Sequence, residues 1–571
     1  MSYRGRYWMV YNGEIYNYRE LREELIALGH TFESNSDSEV ALAAYSEWGV
    51  DCLSRFNGMW SIVILDTETG RLFLARDRFG VKPLYYWQTG ARLAFASEIK
   101  SFSVFGDWAP VANVPRVLDF LIWSVTDHTA ETMFRDVFQL RGGHYATLDV
   151  SRLIAGAADA SIGNLEIVRW YVPEPRDEIS GRAAEEALRA ALEDSVRLRL
   201  RADVPVGSCL SGGLDSSAIV AVMSDQLHAS TPTAQVNTFS ARSTDKEFDE
   251  GEYAQLVVTS ARTSKHETTP TAARLFEEVS ALVWHQDEPF ASTSIFAQWC
   301  VFALAREQGV TVMLDGQGAD EILGGYRGFF GAHLAGLLRA GRLAAWAREV
   351  EALRTVVGFS YARSIGYTIA YAFPALKFVL GRLDGRAYGD LTWINPALRT
   401  TARTDPHAEL GSNTSSVRAM STALLSATNL PMLLRWEDRN SMAFSVEARL
   451  PFLDYRLVET TLGINDADKV GKGVTKAVLR KAMKGTVPDP ILDRRDKMGF
   501  VTAEAKWILG DCRDQYRSML RQAIAAVPQI LNDRLLDQFD EVIRGERTFD
   551  HRYWRAISLG QWVQAFGVAV N

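Results

Sequence analysis

The sequence predicts a mixed α/β and α+β protein, an N-terminal α+β part followed by a doubly wound α/β part with helical additions. Three observations carry this. Residues 204–223 (VPVGSCLSGGLDSSAIVAVM) read as a short apolar strand, a Gly-containing turn and an apolar helix. Residues 235–241 and 310–316 are further buried strands, and helical runs open at 248 and span 294–307 between them. Such alternation specifies a parallel sheet wound with helices. Residues 61–77 read instead as SIVILD, a TETG turn at 67–70 and RLFLARD, an antiparallel hairpin.

At 571 residues the chain is too long for one core. Hydrophobic content of 47% and charged content of 23% are ordinary for a soluble globular protein. A net charge of −8 argues against nonspecific nucleic-acid binding. Cys52, Cys209, Cys300 and Cys512 are scattered without a C-x-x-C pair, so neither a disulfide framework nor a zinc site is indicated, and a reducing cytoplasm fits. The first residues, MSYRGRYWMVYNGEIYN, lack the apolar core of a signal peptide. The stretch 365–380 is the most membrane-like, but Pro374 and Lys377 interrupt it, so a buried or interfacial helix is expected rather than a span.

In chain order, residues 5–13 read as a strand ending in a turn, with Asn12-Gly13 as turn residues on local chemistry alone. Tyr18, Leu21, Leu25 and Leu28 give a helix over 17–29 that stops at Gly29. A second helix follows 36–39, with Val40, Leu42 and Tyr45. PLYYW and RLAFASE are further strands. Residues 105–185 form a connector that includes 155–161 and the ProGluPro at 173–175. A helix runs over about 183–200, which places the boundary near 180 and the domains at 1–180 and 181–571. Beyond the 204–223 stretch, Arg435, Asp438 and Arg439 lie at helical spacing, and Glu447 and Arg449 flank a turn. Residues 475–483 read as an amphipathic helix with Lys476 and Arg480 on one face. The tail, 510–571, reads as helices, with 554–562 as core.

The 204–223 stretch also carries the chemistry. A helix start has unpaired N–H groups and partial positive charge, which attract phosphate. Gly212 and Gly213 allow close backbone approach, while Ser211, Ser216 and Ser217 add hydroxyl donors. Asp215 beside phosphate oxygens needs an intervening cation, which suggests Mg²⁺. For the tripeptide SGG alone, an ordinary turn ahead of a core helix serves equally well.

The full SGGLDSS resembles the pyrophosphate-binding loop of the ATP pyrophosphatase superfamily, whose members cleave ATP between the α and β phosphates; it is not a Walker-type loop. NGEIYN (12–17), SDSE (36–39), RDRFGVKPLYY (76–86), FASEIK (95–100) and GGHY (142–145) resemble the glutaminase domain of glutamine-dependent asparagine synthetases. That resemblance implies an N-terminal-nucleophile αββα sandwich, here partial, in which Asn12, Gly13, Glu14 and Asp37 hold glutamine. DGQGADE (315–321) resembles the second signature of the same family. It implies Asp320 as a second Mg²⁺ ligand opposite Asp215. It also implies ATP contacts along Leu210, Ser211, Gly212, Gly213, Leu214, Asp215, Ser216 and Ser217 and at Ala241, Asp315 and Gly316. Lys497, in RDKMGF, matches a lysine that contacts pyrophosphate; Gln317 stands where a Glu is usual and cannot serve as a general base. DEPFASTSI (287–295) resembles a substrate-pocket segment, and 433–454 fits either an active-site wall or a structural ion-pair network.

The family's glutaminase begins Met-Cys-Gly with the Cys as nucleophile, whereas residue 2 here is Ser and Cys52 follows a helix. Met1 aligns inside the family domain. This sequence is therefore expected not to hydrolyse glutamine. Either the start is misplaced, which the exposed sheet edges of a shortened sandwich favour, or the protein uses free ammonia or another amine. The implied reaction is ATP plus a carboxylate giving an acyl-AMP and pyrophosphate, then ammonia giving an amide. Aspartate is the expected acceptor. Gln317 motivates a second reading, an amide ligase for another carboxylate such as a glycan uronic acid or a lactam-forming substrate. A non-catalytic nucleotide-binding remnant is the third. The expected cofactors are ATP and Mg²⁺ and the partners are small molecules. Neither nucleic acid nor membrane is expected, a homodimer is possible in principle, and 330–425 is expected to shape acceptor specificity or a subunit contact.

Overall fold

The computed structural model describes residues 1–89, 92–154, 165–373, 390–403, 406, 410, 413–495, 504–510 and 512–571. Lys497, the connector residues 155–161 and the end of the 365–380 run lie outside the described residues. No described helix is long and apolar enough to cross a membrane. The chain divides into two compact units: residues 1–113 with 129–173, and residues 114–128 with 174–571.

The first unit contains β1 (Ser2–Tyr3), β2 (Tyr7–Ile15), β3 (Gly58–Asp66), β4 (Arg71–Arg76), β5 (Tyr85–Thr89), β6 (Arg92–Ala96), β7 (Val137–Gln139), β8 (His144–Asp149) and β9 (Glu166–Arg169). An antiparallel six-stranded sheet has the order β1-β2-β3-β4-β8-β9, and a three-stranded sheet the order β6-β5-β7. Period-2 alternation explains the layers. Trp60, Ile62 and Ile64 face one way and pack with Leu21, Leu25, Val40 and Leu42 of the helices Tyr18–Ala27 and Asp37–Trp48. Val63 and Leu74 face the other way and pack with Phe95 of the smaller sheet and with Leu84 and Leu140, which flank its strands. The 3₁₀ helix Ile99–Val104 packs on that sheet, with Phe102 against Trp87. Asn12-Gly13 is not a turn. β2 runs through it to Ile15, pairing Asn12 with Ser61 and Gly13 with Trp60. A Cβ on Gly13 would lie 2.1 Å from the Met59 carbonyl oxygen, at a φ of +147°, so the closeness of β3 dictates glycine there.

The second unit is built on a parallel sheet of β10 (Val206–Cys209), β11 (Asn237–Ala241), β12 (Ser264–Thr268), β13 (Val312–Leu314) and β14 (Glu447–Arg449), ordered β12-β11-β10-β13-β14. Two of these depart from the sequence reading. The text SKHET is polar, yet as an edge strand β12 needs little burial, and His266 stacks on Phe239 at 4.9 Å. Glu447 and Arg449 lie on the opposite edge strand rather than around a turn. Phe239, Val301, Phe302, Met313 and Val446 form the core beneath the central strands. The chain moves outward from β10 to β12, then returns to the other side of β10 for β13. The reversal opens a crevice at the carboxyl ends of β10 and β13, where such sheets bind ligands.

Residues 114–128 belong with this second unit although they fall within the first in sequence. They fold as a helix, Val114–Leu118, and one π turn, Asp119–Trp123. The buried Arg435 holds Asp127 at 2.9 Å, and Arg555 donates to Ser124 Oγ at 2.7 Å and to the Leu121 carbonyl at 2.8 Å.

Candidate functional site

The loop after β10 enters its helix earlier than its apolar run suggests: the helix is Leu214–Ser230, capped by Gly213, and does not begin at Ala218. Asp215, Ser216 and Ser217 therefore occupy the first turn. Gly212 has φ +80°, and a Cβ there would meet the Ala254 nitrogen at 2.8 Å. The loop is braced within itself: Ser211 Oγ and Ser216 Oγ are 3.1 Å apart, and the Gly213 N–H donates to Ser211 Oγ at 3.2 Å. Behind it, Ser240 Oγ, beside Ala241 at the end of β11, donates to the Leu210 carbonyl at 2.5 Å. Half-buried Arg494 clamps the outside, pairing with Glu250 at 2.6 Å and lying 4.2 Å from the centre of the Tyr253 ring.

The loop after β13 mirrors this. Gly318 starts the short helix Ala319–Leu323 with φ +90°, and a Cβ on it would lie 2.4 Å from Leu453. A Cβ on Gly325 would lie 1.7 Å from Asp320 Oδ1, so glycine leaves room for that carboxylate. The neighbouring Glu321 turns inward and accepts from Tyr326 Oη and Asn429 Nδ2, both at 2.7 Å, which fixes the helix that carries Asp320.

The two carboxylates converge on one ammonium. Lys476 Nζ pairs with Asp320 at 2.6 Å and also contacts Asp215. Lys476 is almost fully buried. Burial opposes its charge, but the two carboxylates outweigh that and hold its pKa above the usual lysine value. It is not on the helix its spacing suggests. It precedes the helix Ala477–Ala482 in a left-handed conformation, φ 53°, which swings its side chain toward the crevice. The turn before it is held by buried Glu349, which accepts from the Lys472 and Gly473 N–H groups at 2.7 and 3.0 Å. Arg480 lies close behind; burial first, then the like charge of Arg495, lowers its pKa to about 10. Lys476 and Arg480 thus offset the charge of the two carboxylates.

Gln317 donates from Nε2 to Glu437 Oε2 at 3.3 Å. Glu437 and Asp315 are both buried, and burial raises the pKa of each carboxyl group. Nearby, Arg435 and Arg439 are committed to ion pairs with Asp127 and with the buried Glu288, Asp287 and Asp438, so this part of 433–454 is a structural network. Arg449 Nη1 donates to the carbonyls of Arg199 and Arg201, both at 2.7 Å, another packing role.

In the first unit, Asp37 Oδ2 accepts from Tyr11 Oη at 2.6 Å and from the Ile15 N–H at 2.9 Å, and Asn12 donates to Ser97 at 3.1 Å. Glu14 stands next to them on β2. Cys52 is buried, and desolvation pushes its thiol pKa far up, the reverse of what a nucleophile needs.

Sequence reasoning singled out Asp215, Asp320, Gln317 and the loop glycines, and these share the one crevice. It missed Lys476 as a site residue, together with Glu437 and Arg494.

The parallel sheet thus carries two loops with inward acids and a buried lysine at its switch point, and the first unit pairs two antiparallel sheets. The family model described as Asparagine synthase matches residues 187–564, and that described as Glutamine amidotransferase domain matches residues 1–155. Asparagine synthetase [glutamine-hydrolyzing] 1 of Bacillus subtilis is 28% identical, covering 97% of this chain and 86% of its own. Asparagine synthetase [glutamine-hydrolyzing] 3 of the same organism is 28% identical over 100% and 89%. Amidase chry2 of Gibberella zeae is 27% identical over 86% and 76%. The chain belongs to the asparagine synthase family.

Proposed function

We propose that the protein activates the carboxylate of aspartate with ATP, forming aspartyl-AMP and pyrophosphate, and then joins ammonia to it to give asparagine and AMP. The carrying observation is that Asp215 and Asp320, from loops on neighbouring strands, meet at Lys476. Leu210 to Ser217 receive the phosphates through loop N–H and hydroxyl groups, with Ala241, Asp315 and Gly316 lining the nucleotide. Asp215 and Asp320 would hold Mg²⁺. In support, Asp215 Oδ1 is buried without a hydrogen-bond partner among the described residues. The ion, when bound, neutralises phosphate oxygens and eases pyrophosphate departure. Lys476 stays protonated and supplies positive charge where the leaving group gains negative charge. Lys497 adds a second cation. Gln317 faces the amine but takes no proton from it.

Asn12, Gly13, Glu14 and Asp37 form the glutamine subsite of the first unit. With Cys52 buried, we propose that this chain as given draws on ammonia. The test is ATP–pyrophosphate exchange with a panel of carboxylates, followed by amide formation from ammonium. Exchange that depends on aspartate is expected. Exchange driven only by another carboxylate would replace aspartate by that acceptor, the reading Gln317 favours. Mg-ATP binding without any exchange would defeat both.

A further inference from the structure

The lysine at the centre of the crevice stands in a segment of unfavourable backbone. Between Gly471 and Lys476, the residues Lys472, Gly473 and Lys476 have φ of 55°, 69° and 53°. Left-handed backbone is uncommon for a side chain such as lysine and persists only where the surroundings over-determine it. Gly471 and Val474 exchange both backbone hydrogen bonds at 3.0 Å, so Lys472 and Gly473 are the two-residue tip of a hairpin. The type I′ turn of such a tip requires positive φ at both positions, which asparagine followed by glycine supplies best. Lys472 lacks that preference.

The grip on this turn comes from outside it. Glu349, on the helix Leu343–Ala352, takes the Lys472 N–H on Oε2 at 2.7 Å and the Gly473 N–H on Oε1 at 3.0 Å. Glu349 is buried, and among the described residues it forms no ion pair with a lysine or arginine. A buried carboxylate without a cation depends on such donors, so turn and carboxylate hold one another. The tip is also wedged: a Cβ on Gly473 would lie 2.9 Å from Val356 Cβ and 3.1 Å from the Ala352 carbonyl oxygen. Val470, at the foot of the hairpin, packs in one core with Val350, Leu353 and Phe329. Beyond the hairpin, Arg480 Nε donates to the Thr475 carbonyl at 3.0 Å. Lys476 is therefore fixed from both sides, and in its left-handed conformation Nζ reaches both Asp215 and Asp320.

We infer that Glu349 is a positioning residue for the nucleotide step: its grip on the Lys472–Gly473 turn holds Lys476 in the conformation that delivers the ammonium between Asp215 and Asp320. The inference rests on the reading above, in which that ammonium serves the departing pyrophosphate. It gives the helix Leu343–Ala352 a part in the first half-reaction, where the sequence of 330–425 led to an expectation of acceptor choice or subunit contact.

The experiment compares wild type, Glu349→Gln, Lys472→Asn and the double variant as full chains. Glutamine at 349 keeps the volume and one acceptor oxygen but turns an NH₂ group toward the second backbone N–H. Asparagine at 472, an exposed position, gives the turn its own preference. E349Q should lower kcat for carboxylate-dependent ATP–pyrophosphate exchange by about tenfold or more, with KM for ATP within about threefold. K472N alone should stay within about threefold of wild type, and in the double variant it should restore exchange to that range. Loss of packing around Glu349 would not be repaired from residue 472. Unchanged exchange in E349Q, or no recovery in the double variant, would overturn the inference. Acetic anhydride labelling read by peptide mass spectrometry follows Lys476 without turnover. Lys476 should be protected in wild type, label about tenfold faster or more in E349Q and regain protection in the double variant, while buried Lys469 stays protected throughout. Equal gains at Lys476 and Lys469 in E349Q would show local unfolding and overturn the inference. Should wild type show no exchange with any carboxylate, the proposed function fails, and the labelling still decides the coupling of Glu349 to Lys476.

Discussion

Replacing Lys476 by Met removes one charge and little volume from the point where Asp215 and Asp320 meet. Removing one partner of a buried ion pair costs about 3–5 kcal/mol, because the charge left behind is unpaired. The two carboxylates retain 17% and 19% side-chain exposure, so water relieves part of the cost and the low end, about 3 kcal/mol, applies. The pKa of Lys476 is raised, so its contribution is complete below the ordinary lysine value and is lost only as pH climbs past the folded value. The deficit in K476M should therefore be the same at pH 6 and pH 8. Urea unfolding measures it, and millimolar MgCl₂ should recover part of it by filling the space between the acids. Exchange of pyrophosphate into ATP should fall by about 10²–10³-fold, the scale of losing one preorganised charge partner in an active site. A variant with wild-type unfolding and exchange within about threefold would refute the assignment of this lysine to the phosphate site.

Three other outcomes are expected. Cys52→Ala should leave ammonium-dependent synthesis unchanged and alter the response to glutamine not at all, measured as amide product with each nitrogen source. Gly13→Ala forces a Cβ to 2.1 Å from the Met59 carbonyl and should cost about 3 kcal/mol in chemical denaturation. His551, an exposed residue, has its pKa raised by the hydrogen bond to Glu504, against the charge of Arg555. That contribution is present below the ordinary histidine value and lost as pH rises through the folded value. His551→Gln should therefore lower the denaturation midpoint at pH 6 more than at pH 8.5.

The strand–loop–helix at 204–223 was legible because its parts are contiguous: an apolar strand, two glycines and a helix start. Asp320 was legible for the same reason on β13. Lys476 was not, since its role comes from a left-handed turn 261 residues after Asp215 and its neighbours keep an ordinary amphipathic spacing. Glu437 sits between Trp436 and Asp438 on a helix full of charges, and only the fold reveals that it points away from the arginine network. β12 escaped because an edge strand can be polar. The turn proposed at Asn12-Gly13 failed because a close neighbouring strand also demands glycine, and local sequence cannot separate the two demands.

The excursion of residues 114–128 has a practical consequence for dissecting the protein. No single scissors cut separates its halves. A fragment starting near 174 would take Asp127 from the Arg435 guanidinium, leaving it Glu288 at 3.6 Å, and would take Ser124 from Arg555. Gene-splitting or domain-transplant work on this ligase has to carry that short peptide along with the larger half.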